Sequence, residues 1–148
     1  MREILFRAKR KNNGEWVEGG YHHQTDYYGD PCDRHYIVNG SQTDIEGYGE
    51  HYEIDPETLC QYTGVTDKNG KQIWENDIVK HEISDTIGTV KWYEEDYIGW
   101  CVDDVVIDEQ HFTDEMWSEC EVIGNVFDDK HLLAEMDCCR EQEKETED

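Results

Sequence analysis

The nearest approach to a metal-ligand set in this chain is His22, His23, Cys32 and His35, in which Cys32-x-x-His35 has the spacing of a ligand pair. A thiolate beside imidazoles would suit zinc. No second tight pair completes a four-ligand site, however, and the surrounding stretch reads as a polar loop rich in His and Tyr. The expectation is therefore no metal and no other cofactor, with these four residues as the candidates to watch. A second set, Asp77, Asp85, Glu94, Glu95 and Asp96, could supply paired carboxylates for acid–base chemistry or for Mg²⁺. With 37 acids in 148 residues, adjacent carboxylates arise by chance, so a solvated face explains them. Nucleophile motifs are missing. Ser41, Ser84 and Ser118 have no G-x-S-x-G context, and no cysteine stands at a helix start beside a base that would lower its pKa. Gly47-Tyr48-Gly49 lies outside any strand-to-helix context and cannot cradle phosphate. No catalytic residue is assigned, and the chain is expected not to be an enzyme.

Aromatic residues are the other candidates. Trp74, Trp92, Tyr93, Tyr97, Trp100 and Trp117 could stack bases or line a peptide groove, but a β-domain needs several such rings for its core. Tyr93, Glu94, Glu95, Asp96 and Tyr97 join two expected strands, and that acidic, aromatic loop is the expected partner-binding surface.

Charge narrows the partners. The net charge is −24, of which residues 1–93 carry −7 and residues 94–148 carry −17. A phosphate backbone approaching the C-terminal half would meet a repulsive field, which argues against direct nucleic-acid binding. The one basic patch, Arg7, Lys9, Arg10 and Lys11, is too short for a nucleic-acid site. Apolar runs such as Ile4-Leu5-Phe6 and Val105-Val106-Ile107 are far too short to span a membrane. With no export signal in the sequence, the six cysteines read as reduced thiols and the setting as cytoplasmic, in the host cell if the protein is phage-encoded.

The elements that must position these groups are mostly strands. Ile4–Ala8 and Glu15–Glu18 form a hairpin whose reversal ends in Asn13-Gly14. Residues 19–51 read as an irregular insertion with one or two short strands, one at Tyr36-Ile37-Val38. The clearest local signal is a second hairpin, Gln61–Val65 to Lys71–Trp74 around Asp67-Lys68-Asn69-Gly70. Short strands follow at Asn76–Lys80, Ile87–Trp92, Ile98–Val102 and Cys120–Phe127. Asp128 or Asp129 should cap a helix with Leu132, Leu133 and Met136 on one face. The fold class is mainly β. Residues 1–60 form a β-hairpin region carrying the insertion at 19–51. Residues 61–139 form a small SH3-like barrel plus the C-terminal helix, and 140–148 a disordered acidic tail.

Several stretches resemble the YopX family, found mostly in phages and prophages. They are Arg2–Ala8, the long central run Ile54–Val79, then Gly88–Trp92 and Glu121–Val126. The chain departs from the family pattern at Lys9, where Trp is frequent, and at Cys60 and Asn76, where Gly is common; Asn still tolerates a left-handed turn. The resemblance implies a β-rich fold and no established biochemical activity. It sharpens the fold and the setting and leaves function open. The leading expectation is a non-enzymatic phage accessory protein that works through protein contact or self-assembly, with a homo-oligomer expected because small barrels bury their open edges. Two alternatives come from other classes, an acidic mimic of nucleic acid that blocks a host DNA-binding protein and a metal-dependent enzyme.

Overall fold

Alternation of side chains and well-placed turn residues account for most of the architecture. The computed structural model describes residues 3–39, 50–82, 85, 87–94, 98–103 and 117–134. The chain divides into two compact units, Met1–Gly64 and Val65–Asp148. The protein is mainly β, as expected, with all strand pairs antiparallel among those described.

In the first unit β1 (Phe6–Lys9) pairs with β2 (Trp16–Tyr27) in a register of Ala8 opposite Val17. The reversal between them works as its residues suggest. Gly14 has φ +71°, and the Asn13 side chain accepts the Glu15 N–H at 3.0 Å. The region expected to be an irregular insertion is different in its described part. Strand β2 continues to Tyr27 and returns as β3 (Asp30–Asn39), a ribbon far longer than one or two short strands. The strands are legible only by their period of two, because most of their residues are polar. The Tyr28-Gly29 reversal has φ of +51° and +87°, the paired positive angles that a two-residue hairpin needs to match strand twist. Strand β4 (Glu50–Glu53) adds to β3, and β5 (Cys60–Thr66) adds to β1, giving the order β4-β3-β2-β1-β5. A single 3₁₀ turn at Pro56–Thr58 precedes β5, its N-cap Asp55 accepting the Glu57 N–H at 3.1 Å. The core is Ala8, Ile37 and Ile54, covered by Phe6, Val17, Tyr21 and Leu59.

Strand β5 runs on into the second unit, where β6 (Gln72–Trp74) follows it through the expected turn. Gly70 there has φ +79° and donates its N–H to Asp67 O. Space beside Gly70 is open, so any penalty for a side chain comes from the backbone alone. Gly70→Val is expected to cost about 1–2 kcal/mol, measured by urea unfolding, because an L-residue resists the left-handed region. Unchanged stability would mean the turn relaxes to another type.

The remaining strands, β7 (Asp77–His81), β8 (Ile87–Tyr93), β9 (Gly99–Asp103) and β10 (Cys120–Asn125), form a sheet in the order β10-β7-β8-β9. The described residues form no closed barrel. Short strands and turn signals specify pairing between neighbours, but closure depends on shear and stagger that no local pattern encodes. This unit's core is Ile73, Val79, Val90, Val102, Trp117 and Cys120. Asn76 takes φ +68°, the left-handed conformation expected for it, and Cys60 is buried with its Sγ 3.3 Å from Thr58 O. Helix follows at 130–134, where the Asp129 carbonyl accepts the Leu132 N–H at 3.0 Å and one Asp129 carboxylate oxygen turns back to accept the Asn125 N–H at 3.0 Å. Met136 and the tail at 140–148 lie outside the described residues. Among those described, no helix is long and apolar enough to cross a membrane.

Candidate functional site

Strand alternation sorts the metal candidates onto opposite faces. In β2 and β3, His23 lies opposite His35 and His22 opposite Tyr36. His22 therefore stacks on Tyr36, at 6.4 Å between centroids, away from His23. Cys32 is three residues from His35, an odd spacing that sends the two to different faces of a strand. Its Sγ points to Gln24 O at 3.5 Å. The Cys32-x-x-His35 pair thus does not converge, since i,i+3 spacing suits a turn or helix.

Two of the four candidates do meet, with a partner that the sequence reading passed over. Asp33 and His35, at i,i+2, share a face with His23. Asp33 Oδ1 lies 2.6 Å from His23 Nε2 and 3.2 Å from His35 Nε2. The two imidazoles stack at 4.2 Å with 7° between their planes. The hydrogen bond from His23, followed by an opposing desolvation and then the charges of both rings, holds the Asp33 carboxyl below its ordinary value. His35 is half-buried, with the Tyr21 hydroxyl 2.5 Å from Nδ1, and Tyr21 in turn packs on the core beside Phe6 at 5.9 Å. The face begins as core at Ile37 and becomes polar toward Asp33. The available signal was the period-two run Asp33-x-His35-x-Ile37 opposite Tyr21-x-His23.

Among the described residues, the members of the carboxylate set have separate local partners. Asp77 is fully buried and accepts the Trp74 N–H at 2.8 Å, holding the turn between β6 and β7. Asp85 pairs with Lys80 at 2.9 Å, and Glu94 bonds Trp92. Asp67, read from sequence as a turn former, serves three backbone donors. Its Oδ1 accepts N–H groups from Asn69 and Lys71, and its Oδ2 accepts that of Val122, all at 2.9–3.0 Å. Burial pushes this carboxyl up, but the three backbone bonds and the Lys71 charge outweigh it and hold the group below its ordinary value. These are structural assignments. The Cys120 thiol is pushed up to about 11 by burial and by the charges of Glu119 and Asp67, so it is a core thiol and a poor nucleophile. No disulfide joins Cys32, Cys60, Cys101 and Cys120.

The basic patch is absorbed internally. Arg7 and Lys9 sit over the Trp16 ring at 4.8 and 5.4 Å, Arg10 over Tyr52 at 4.6 Å, and Lys11 pairs with Glu53 at 3.5 Å.

Of the expected contact loop, Tyr93 is half-buried and Glu94 exposed, while Glu95, Asp96 and Tyr97 lie outside the described residues. The rings beside it sort clearly. Trp74 and Trp117 are core. On the pair β8–β9, Val90 faces Val102 in the core, and one step outward Trp92 faces Trp100. The two indoles meet edge-to-face at 5.0 Å and 74°. Trp92 is 40% exposed and Ile98 77%, so the core face of this strand pair runs out into an apolar ledge. Trp92 Nε1–H donates to Glu94 Oε1 at 2.8 Å, fixing the ring.

Its antiparallel strands and two cores make the molecule a mainly β protein of two units. The chain belongs to the YopX family, whose model, described as YopX protein, matches residues 5–134. Among solved structures it is similar to the crystal structure of protein EF1440 from Enterococcus faecalis. The TM-score is 0.50 and the identity 20%, covering 90% of this chain and 99% of that one, a likeness of fold alone. No functionally curated protein matches the chain.

Proposed function

We propose that the chain is a non-enzymatic accessory protein, of phage or prophage type and cytoplasmic, that acts by protein contact through the outer end of the β8–β9 pair. One observation carries this reading, the continuation of the core face into Trp92 and Ile98, large apolar groups left in water. An ordered indole with its N–H already bonded to Glu94 offers rigid contact area at little entropic cost. Tyr93 and Glu94 border it, which extends the expected surface Tyr93–Tyr97 rather than replacing it. The neighbouring acids would speed encounter with a basic or mixed surface. The short antiparallel strands β7 to β10 support the SH3-like architecture expected within residues 61–139. The partner is another protein or a second copy of the chain.

Affinity capture from host-cell lysate at low and high salt tests the proposal, with sedimentation of the purified chain to detect self-association. Trp92→Ala is expected to weaken the complex about tenfold or more, as a central aromatic anchor does. The complex should survive high salt. A partner lost steeply with salt and indifferent to Trp92 would instead favour a nucleic-acid mimic, whose binding spreads over many carboxylates. If Trp92→Ala unfolds the unit, the ledge is a structural margin.

A further inference from the structure

We propose that His23, Asp33 and His35 form a binding site for one divalent cation of the zinc type. Each offers one ligand atom, and the three atoms lie within 4.8 Å of one another. A tetrahedral zinc holds its ligands at about 2.0–2.2 Å, and so about 3.3–3.5 Å apart. The present spacings from Asp33 Oδ1, 2.6 Å to His23 and 3.2 Å to His35, are both shorter than that, so the His35 pair is nearly at the required separation and the His23 side must open outward. Two imidazole nitrogens and one carboxylate suit zinc and its transition-metal neighbours. Magnesium and calcium want shells of oxygen, to which this trio contributes a single carboxylate.

The ribbon has already brought the ligands together. His23 and His35 are register partners, and Asp33 is two residues from His35 on the same face. The entropy of gathering three side chains from separate parts of the chain is thus met by folding. The remaining adjustment is local. The rings lie nearly parallel and must splay so that their lone pairs converge. His23 and Asp33 are exposed and have room to do so. His35 is held from behind, where Nδ1–H can donate to the Tyr21 hydroxyl and leave the Nε2 lone pair directed outward. Without a cation, Nε2 protons fill the gap by bonding to Asp33. With one, a neutral His35 carries its proton on Nδ1 instead, and no net proton need leave that ring. The fourth position is open to water or to a further ligand.

This site departs from the expectation of no metal, which rested on the unpaired Cys32-x-x-His35 spacing and the lack of a complete four-ligand set; it keeps His23 and His35 of the four candidates and leaves out Cys32 and His22. The distinction is testable because those two point elsewhere. The untagged full chain, stripped by chelator, is titrated with zinc chloride by calorimetry near neutral pH. One saturable site is expected. His23→Ala and His35→Ala should each weaken zinc about tenfold or more. Tyr21→Phe should weaken it roughly tenfold through loss of ring positioning. His22→Ala and Cys32→Ser should bind as the parent does, and magnesium chloride in large excess should not compete. Zinc should also shift the ring resonances of His23 and His35 ahead of other histidines. Because His23 is exposed, its variant should keep the parent's circular dichroism, so its result stands even if His35→Ala perturbs the ribbon. No saturable zinc site overturns the proposal, as does one insensitive to His23, or one that depends on Cys32 or His22.

Discussion

Asp67→Ala is expected to destabilise the second unit by about 3 kcal/mol, seen as a lower urea midpoint. The carboxylate is 5% exposed and serves three backbone N–H groups, two in its own turn and one from Val122 on the distant strand β10. Removing it strands those donors, and each buried donor left unmet costs about 1–3 kcal/mol, less whatever water recovers. The same contact links the β5–β6 turn to β10, so its loss should also loosen Lys68 N–H, which bonds Cys120 O at 2.9 Å. The pH dependence has a definite sign. A carboxyl held below its ordinary value contributes stability that is fully present above the unfolded-state value, about 4, and is lost as pH falls through the lower native value. Acid also relieves repulsion in a chain of net charge −24, so the parent must be compared with Asp67→Asn. The difference between the two should shrink below about pH 4. A loss under about 1 kcal/mol for Asp67→Ala would show that water reaches these donors in the parent.

The other large effect is expected at Gly19. It lies in β2 between two neighbours, opposite Phe6 of β1 and beside the point where pairing with β3 begins. A Cβ built there would stand 2.2 Å from Val38 O and 3.1 Å from Ile37 Cγ2. The first obstacle is backbone and cannot rotate away. Gly19→Val should therefore cost about 3 kcal/mol or more, since overpacking against a fixed chain forces the strands apart. Gly20, one residue on, meets only the edge of contact at 4.0 Å, and Gly20→Ala serves as the control with little effect. The ribbon's register sets His23 opposite His35, so Gly19→Val should also weaken zinc where Gly20→Ala does not. Equal stability of the two variants would sink this account of Gly19.

Local signals carried much of the fold. Asn13-Gly14 and Asp67–Gly70 mark reversals through backbone angles and side-chain acceptors that belong to those residues alone, and both hairpins form there. The strands of the second unit were legible because aliphatic residues cluster in them. The β2–β3 ribbon was not, because Gly, His, Gln, Thr and Asp dominate it and polarity hides a strand that is solvated along most of its length. Its period-two pattern was present, but weak against the composition of a loop.

The sequence by itself determined the mainly β class, the two turns, the acidic surface and the family. These follow from residue identity and near-neighbour spacing. Only the tertiary structure decided which chemistry-bearing residues meet. Cys32-x-x-His35 looked like a ligand pair until a strand put its members on opposite faces, and Asp33 looked like one acid among 37 until that same strand placed it beside His23 and His35. Likewise Asp67 read as a turn former, and its bond to Val122 awaited the arrival of β10. Register and closure join residues tens of positions apart, and such pairings are settled by packing the whole chain rather than by any window within it.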